Sequence, residues 1–155
     1  MPGLIKQGQI VEDNWLPADP DAATVGEGQI LSLDQWLNSE QPSGRAVMLE
    51  PGQAPNPLFD HLERISMIAI NFPVFTDGRG FSYARELRER GFNGELRACG
   101  HFIRDQMTYL RRCGFDAFQP AEAAHLEDYL AGLNDFSESY QAAIDQPLPL
   151  FRRRN

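Results

Sequence analysis

Lysine and cysteine are scarce in this chain. Lys6 is the single lysine among 14 basic residues, so almost every positive charge is carried by arginine. Arginine presents a planar fork that suits carboxylate, phosphate or sulfate, whereas lysine acts mainly as a mobile point charge. Cys99 and Cys113 are too few for a disulfide framework and match no common zinc or iron-sulfur spacing. We therefore expect two buried thiols, no metal site and no resident cofactor.

Long apolar runs and excess positive charge are also missing. No stretch approaches the roughly 20 apolar residues that cross a bilayer, and the first residues lack the charged start of a signal peptide. The net charge of -8 argues against a nucleic-acid footprint, which normally needs a basic face. We expect a cytoplasmic protein with neither membrane nor nucleic acid as a partner. The 155 residues, 42% of them hydrophobic, suit a single domain over residues 1–155.

Three regions follow one another along the chain. Residues 1–44 contain two short apolar clusters around a Gln-Gly turn, typical of a β-hairpin, and then a short helix for which Ser32 is a suitable cap. Residues 45–140 alternate four short apolar bursts with amphipathic helical segments, which is typical of repeated βα units. Residues 141–155 read as a tail that contains prolines and arginines.

The alternation predicts an α/β fold with a small, mostly parallel sheet of about four strands, preceded by the N-terminal hairpin. The expected strands lie at residues 46–49, 67–72, 95–99 and 117–119, and the expected helices at residues 56–64, 81–90, 102–112 and from 126 onward. Such a sheet is either an open layer or half of a barrel. A half-barrel would expose apolar edges that a homodimer covers.

Two of the expected helix ends repeat one short pattern. Residues 87–92 read Leu-Arg-Glu-Arg-Gly-Phe, and residues 110–115 read Leu-Arg-Arg-Cys-Gly-Phe. In each, the glycine suits the left-handed residue that closes a helix, and the arginines suit the negative helix end. The repeat therefore indicates successive strand-helix units rather than an active site.

The segment 76–85 is the clearest chemical feature. In parallel sheets, ligands usually bind beyond the carboxyl ends of the strands, where a loop enters a helix. Gly78 and Gly80 can bring backbone amides close to a ligand, Ser82 is suited to cap the helix, and a helix start favours an anion. Arg85 stands three residues after Ser82, where a capping box would carry Glu or Gln. A cation there opposes the helix dipole, so a negative partner is expected nearby.

Arg79 and Arg104 extend this candidate anion site. Arg104 occupies the first turn of the next expected helix, so Arg79, Arg85 and Arg104 converge at one sheet edge if both helices follow adjacent parallel strands. The alternative is that Asp77 and Asp105 simply pair with these arginines. The segment is not a Walker loop, because no Gly-Lys-Ser/Thr follows, and it lacks the third glycine of a dinucleotide motif.

Two residues are weak candidates for a catalytic role. His101 lies in a strand-to-helix turn, where it is either an acid, a base or a ligand contact, or a capping or surface histidine. Asp77 is the second candidate, beside the arginines. No serine, cysteine or lysine has a recognisable nucleophile setting, so covalent catalysis finds no support.

Several blocks of the sequence together resemble a bacterial family of unknown function. They are residues 75–85, 87–91, 94–98, 104–106 and 113–118, within a similarity that extends from about Arg45 to Leu130. Members of that family are described as oxidoreductases of sulfite reduction, encoded beside assimilatory sulfite reductase. The resemblance implies a role in sulfur assimilation with sulfite reductase as a partner. The residues themselves contain no flavin, haem, nicotinamide or cluster motif.

Three functions remain open on this basis. The first is a non-catalytic accessory of sulfite reduction that binds sulfite reductase or a small anion through the arginine turn. The second is a small enzyme acting on a sulfur oxyanion or a phosphorylated metabolite, with Asp77 or His101 transferring a proton and the arginines clamping the anion. The third is an interaction domain without a ligand. We expect the first, because the chain is small, poor in cofactor motifs and centred on anion-binding residues.

Overall fold

A computed structural model of the protein describes residues 3–13, 15–17, 28–38, 44–50, 52–74, 78–121 and 126–133. These residues form one eight-stranded sheet and the helices that accompany it. The strands are β1 (Gly3–Lys6), β2 (Gln9–Glu12), β3 (Leu16–Pro17), β4 (Gln29–Ser32), β5 (Arg45–Leu49), β6 (Ile65–Phe72), β7 (Glu95–Gly100) and β8 (Ala117–Pro120). The helices are α1 (Leu33–Asn38), α2 (Arg79–Glu89), α3 (Met107–Cys113) and α4 (Leu126–Leu133), with 3-10 helices at Asn56–Arg64 and Arg104–Gln106.

The sheet is mostly parallel, with the strand order β2-β1-β8-β7-β6-β5-β4-β3. Strands β3 to β8 run parallel to their neighbours, and the hairpin of β1 and β2 joins β8 in antiparallel orientation. The expected α/β architecture with a mostly parallel sheet and an N-terminal hairpin is confirmed. The expectation of about four strands is wrong, because the hairpin joins the same sheet and β3 and β4 extend its other edge.

The sequence patterns do not predict strand β4, because this strand is short and continues directly into α1. Its last residue, Ser32, is at the same time the residue that caps the helix. The Ser32 Oγ accepts a hydrogen bond from the Gln35 amide at 3.1 Å, and the Gln35 Oε1 accepts one from the Ser32 amide at 2.9 Å. This reciprocal capping box confirms Ser32 as the cap of the short helix.

The main hydrophobic core lies on one face of the sheet. The six parallel strands β3 to β8 follow one another in sequence order, so right-handed crossovers place the connecting helices on a single face. Val47, Ile68 and Leu96 from three adjacent strands are fully buried there. Trp36 of α1 and Leu87 of α2 belong to the same core cluster. Burial of this apolar layer supplies the main driving force for folding.

The opposite face of the sheet is concave and contacts Asp13 and Trp15, two residues that follow β2. Four Cα–Cα steps join Glu12, the last residue of β2, to Leu16, the first of β3, and span at most about 15 Å. The edges of a flat sheet of this width would lie roughly 34 Å apart, since strands are spaced by about 4.8 Å. The sheet is therefore curled, which favours the half-barrel over the open layer. Trp15 packs on this concave face against the cluster of Ala46, Met67, Ala69 and Cys99.

Two helical segments differ in detail from the expectation. The segment Asn56–Arg64 is helical, but as a 3-10 helix. The helix expected over residues 102–112 begins only at Met107, after the 3-10 turn Arg104–Gln106. Gln106 stabilises that turn, because its side-chain oxygen accepts a hydrogen bond at 3.0 Å from the amide that precedes the turn.

The expected tail, residues 141–155, lies outside the part of the chain that the structure describes. Within the described part, no helix has the length and apolar character needed to cross a membrane.

Candidate functional site

A small niche lies at the carboxyl edge of the sheet, where β5 and β6 end and α2 begins. Glu50 follows β5, Asn71 belongs to the end of β6, and Arg79 is the first residue of α2. The Asn71 Nδ2 donates a hydrogen bond to the Glu50 Oε1 at 2.9 Å. The space between these side chains is about 10 Å³, which admits one water-sized group. Glu50, Gly52, Asn71 and Arg79 are called the strand-end niche below.

Gly52 determines how closely the Arg79 side chain approaches the loop after β5. The φ of Gly52 is +84°, a conformation that residues with a side chain rarely adopt, and a Cβ on it would lie 3.2 Å from the Arg79 Nη1. The Arg79 guanidinium therefore lies directly against the Gly52 backbone. This arrangement holds one planar, permanently charged group beside the N-terminus of α2.

The close packing of α2 on β6 explains why residue 80 is a glycine, without a ligand. A Cβ on Gly80 would lie 2.6 Å from the Phe72 Cζ and 3.0 Å from the Ile70 Cγ2, both of β6. The absence of a side chain thus allows the first turn of α2 to lie against β6. The Phe72 ring also packs against the tilted Phe81 ring at a centroid distance of 5.3 Å and edge-to-face against Phe115 at 5.8 Å. Gly80 therefore anchors the start of the helix to the aromatic part of the core.

The N-terminus of α2 lies two residues before its expected position. The helix begins at Arg79 and is preceded by Gly78, and among the described residues no side chain caps it. Ser82 is exposed within the first turn, so the expectation that it caps the helix is wrong. The helix begins earlier than expected because Gly80, which packs on β6, is already part of its first turn. Arg85 consequently lies in the second turn, where opposition to the helix dipole is weak and demands no anion.

Arg85 and Arg104 contact other parts of the molecule. The Arg85 Nη2 lies 3.5 Å from the Cys113 Sγ at the end of α3, and this contact raises the pKa of Arg85. The Arg104 Nη1 lies 3.2 Å from the Asp128 Oδ1 of α4. The structure thus does not bring Arg79, Arg85 and Arg104 together: each meets a different element.

Of the two catalytic candidates, the structure describes His101, which directly follows β7. His101 is exposed, and its backbone amide donates a hydrogen bond to the Phe72 carbonyl at 2.8 Å. It follows Gly100, whose φ of +99° and close contact with the Phe72 carbonyl oxygen, 2.5 Å from a Cβ position, require glycine. Asp77 lies outside the described residues. The turn at Gly100 and the hydrogen bond to Phe72 therefore determine the position of the His101 backbone.

The structure contains a second polar group that the sequence patterns missed, on the concave face of the sheet. At its centre Arg97 of β7 is 1% exposed. The Glu95 Oε2 accepts hydrogen bonds from the Arg97 Nε and Nη2, each at 2.8 Å. The Asp13 Oδ1 and the Gln119 Oε1 lie 3.0 Å and 3.2 Å from the Arg97 Nη1. Together with Lys6, whose Nζ is 2.7 Å from the Glu95 Oε1, these residues are called the Arg97 cluster.

A sequence signal for the Arg97 cluster does exist. Glu95 and Arg97 alternate with Leu96 and Ala98, so a strand places the two charged side chains on one face and the apolar ones on the other. The sequence predicts a strand at residues 95–99, but it does not identify a partner for the polar face of that strand. The partner is Asp13, which lies 84 residues from Arg97 in the chain and which no local pattern identifies.

Both cysteines are buried thiols, as expected. Burial raises the pKa of the Cys99 thiol to about 12, although the nearby Arg97 lowers it. The Cys99 Sγ lies 3.6 Å from the Gln119 Oε1. A thiol with this pKa stays protonated at neutral pH and is a poor nucleophile. In the described part of the chain, no three His, Cys, Asp or Glu side chains are grouped in a way that would hold a metal ion.

Comparisons with known proteins place the chain in a family. No curated protein and no solved structure matches it. Residues 46–151 match the model of a family described as bacterial protein of unknown function (DUF934). The match covers strands β5 to β8 with their helices, including Gly52, Asn71 and Arg79, and more than half of the chain. The protein therefore belongs to the DUF934 family.

Proposed function

We propose that this chain binds a small oxyanion at the strand-end niche, through the Arg79 guanidinium and the first backbone amides of α2. The position of Arg79 carries the proposal. It is the first residue of an 11-residue helix at the carboxyl edge of a parallel sheet, the edge at which such folds bind ligands. The first amides of a helix have no partner within the helix, and the helix dipole favours negative charge there.

The niche also defines which anions fit. Its inner space of about 10 Å³ is too small for a whole oxyanion, so the anion binds at the mouth with one oxygen inside and the rest towards solvent. The Glu50 carboxylate borders the same space and repels negative charge. A singly charged anion is therefore favoured over a doubly charged one. Hydrogen sulfite meets both conditions, because it is singly charged and can place one oxygen in the inner space.

In this proposal the chain is a non-catalytic accessory of assimilatory sulfite reduction. Support comes from the resemblance described above, which links the family to sulfite reductase. In the niche itself, the arginine and the side-chain amide are groups that can hold an anion, while the carboxylate disfavours a doubly charged one. Sulfite reductase is accordingly the proposed protein partner.

Isothermal titration calorimetry with sulfite, sulfate and phosphate tests the anion site. We expect sulfite to bind the native chain, and Arg79→Gln to weaken binding roughly tenfold, the loss of one charge-assisted contact. Arg85→Gln is the matched control on the same helix, because Arg85 contacts Cys113, and it should change the affinity less than twofold. Absence of binding to the native chain, or an equal loss in both variants, would contradict the proposal.

The accessory role needs separate measurements. We expect the native chain to co-purify with sulfite reductase and, when isolated without added flavin or haem protein, to leave sulfite unchanged. Turnover by the isolated chain would instead favour a small enzyme acting on a sulfur oxyanion, with Asp77 or His101 in proton transfer. A deletion strain that keeps its full rate of sulfite reduction would count against the accessory role.

A further inference from the structure

A much larger cavity lies at the opposite edge of the sheet, near the amino end of β8. It measures about 480 Å³, within the range of pockets that hold small organic molecules. The turn between β1 and β2 forms one side, the C-terminal ends of α2 and α3 form another, and α4 forms the third. The described residues that line it are distinct from those of the strand-end niche, so the two sites are independent.

The inner walls of this cavity are apolar and partly aromatic. Phe115 and Phe118 are almost completely buried and line its inner side, while Leu130 and Leu133 of α4 line one wall. Aromatic rings pack favourably against one another edge to face or with an offset. A ligand with an aromatic or other apolar body therefore displaces water from these walls favourably.

The charged side chains around the cavity are engaged within the protein. Arg88 donates hydrogen bonds of 2.8 to 2.9 Å to three backbone carbonyl groups. Its Nη2 lies 3.5 Å from the Asp116 Oδ1, and that oxygen also accepts a hydrogen bond of 2.7 Å from the Leu96 amide. Arg111, which lines the cavity as well, likewise has an interaction within the protein. A charged ligand would have to compete with these internal partners.

The surroundings of the cavity also disfavour charge. Burial lowers the pKa of Arg88 and raises the pKa of Asp116, the directions expected where charged groups are removed from water. A charged ligand would lose its own hydration on entering the cavity, whereas an uncharged ligand avoids that cost. Burial and the internal ion pair therefore both favour a ligand without net charge.

A polar side chain lies at the mouth of the cavity. Gln7 and Gly8 form the turn between β1 and β2, with φ values of +54° and +76°. Such a two-residue turn favours Asn at its first position, because other residues with a side chain rarely adopt a positive φ. Gln7 is exposed and lines the cavity, and its side-chain amide can both donate and accept a hydrogen bond. Gln7 is therefore suited to meet a hydroxyl or carbonyl group of a ligand.

We propose that this cavity binds a small uncharged molecule with an aromatic or other apolar body and one hydroxyl or carbonyl group that meets Gln7. The body replaces water against the two phenylalanines and two leucines of the lining. The polar group stays at the mouth and forms a hydrogen bond with the Gln7 amide. The charged side chains keep their internal partners when the ligand binds.

Naphthol is the probe for this site at neutral pH, where it is uncharged. Naphthoate and naphthylmethylammonium, substituted at the same ring position, are the anionic and cationic controls. Calorimetric titrations should show that the native chain binds naphthol at least about tenfold more tightly than either charged probe. Amide shift changes with naphthol should centre on Gly8, Gly114 and Leu130 and leave Gly52 and Gly80 unaffected.

Two pairs of variants separate the cavity from general surface binding. Leu130→Trp fills the space and should abolish naphthol binding while the protein stays folded by circular dichroism. Ala131→Trp, at the exposed neighbouring position of α4, is its control and should change the affinity less than about twofold. Gln7→Ala should weaken naphthol binding roughly threefold to tenfold, the loss of one hydrogen bond. Gln9→Ala, at an exposed position of β2, should change it little.

Three results with the native chain and the tryptophan variants would each overturn the proposal. They are no naphthol binding to the native chain, an equal or higher affinity for a charged probe, and equal binding in Leu130→Trp and Ala131→Trp. An affinity in Gln7→Ala that equals that in Gln9→Ala would overturn it as well, and this comparison holds even if Leu130→Trp does not fold.

Discussion

The Asp13 carboxylate and the Arg97 guanidinium, 84 residues apart in the chain, lie 3.0 Å from each other on the concave face of the sheet. Asp13 is the first residue after the edge strand β2, and Arg97 lies in the interior strand β7. The pair therefore attaches the chain at Asp13, just after β2, to the concave face of the sheet. Gln119 reinforces it, since its Nε2 donates a hydrogen bond of 3.0 Å to the second oxygen of Asp13.

Asp13→Ala should lower the free energy of unfolding by about 3 kcal/mol, because it leaves a nearly fully buried guanidinium with one carboxylate fewer. Glu12→Ala, at the adjacent exposed position, is the control and should cost less than about 0.5 kcal/mol. Urea denaturation followed by circular dichroism measures both. A loss below about 1 kcal/mol for Asp13→Ala would mean that the pair does not hold the curved sheet together.

Gly80→Ala should destabilise the protein by about 1 to 3 kcal/mol, although alanine is the better helix former, because the new methyl group overlaps the Phe72 ring. Gly78→Ala is the matched control: among the described residues nothing lies within 4 Å of its Cβ position, and its φ of -90° suits any residue. Thermal unfolding of the two variants checks the difference. If Gly80→Ala is as stable as the native chain, packing is not the reason for the glycine.

Some features of this fold are local and could be predicted from the sequence. The hairpin and the cap at Ser32 depend on neighbouring residues, and the alternation of apolar bursts with helices follows from the periods of strand and helix. These features are sufficient to predict a mostly parallel sheet. They do not predict its width, because β4 is four residues long and β3 only two.

Features that depend on distant residues could not be predicted. The burial of Arg97 depends on its ion pair with Asp13, which is distant in the sequence. The start of α2 depends on the packing of Gly80 against Phe72. The direction of an arginine side chain depends on its partner, and Arg85 and Arg104 turn to Cys113 and Asp128 rather than to a common point. Of the candidate anion-binding arginines, Arg79 is the one that the structure places in the strand-end niche.

Gly114→Ala should cost about 1 kcal/mol more than Gly91→Ala. Both glycines end a helix with a positive φ, +116° and +97°, so both variants suffer backbone strain. Only at Gly114 would the added Cβ also approach the Arg88 Cγ, to 2.5 Å, and Arg88 is held in place by its hydrogen bonds to three carbonyl groups. Chemical denaturation of the two variants measures the difference. Equal losses would show that Arg88 moves aside without cost.

The raised pKa of Cys99 makes the stability fall at alkaline pH. The pKa is about 12 in the folded chain against an ordinary value of 9.0, so the folded state holds the proton more tightly. This contribution is complete below pH 9 and is lost as the pH rises towards 12, at a slope of up to about 1.4 kcal/mol per pH unit. Cys99→Ala should flatten the stability profile above pH 9. An unchanged slope in Cys99→Ala would assign the loss to other groups.

Sulfite binding should also depend on pH, because the Glu50 carboxylate favours a singly charged anion at the niche. Affinity should fall as the pH rises and sulfite loses its second proton. Glu50→Gln should reduce that fall, since the repulsion from the carboxylate is removed. Calorimetric titrations at several pH values measure the effect. A constant affinity of the native chain would mean that Glu50 does not select the charge of the anion.

The most direct test of the anion site is an NMR titration of the ¹⁵N-labelled chain with sulfite. Binding at Arg79 predicts saturable shift changes at the amides of Gly52, Gly80 and Phe81, and their loss in Arg79→Gln. Shift changes centred on Arg104 or Arg111, or the same changes in Arg79→Gln as in the native chain, would contradict the account.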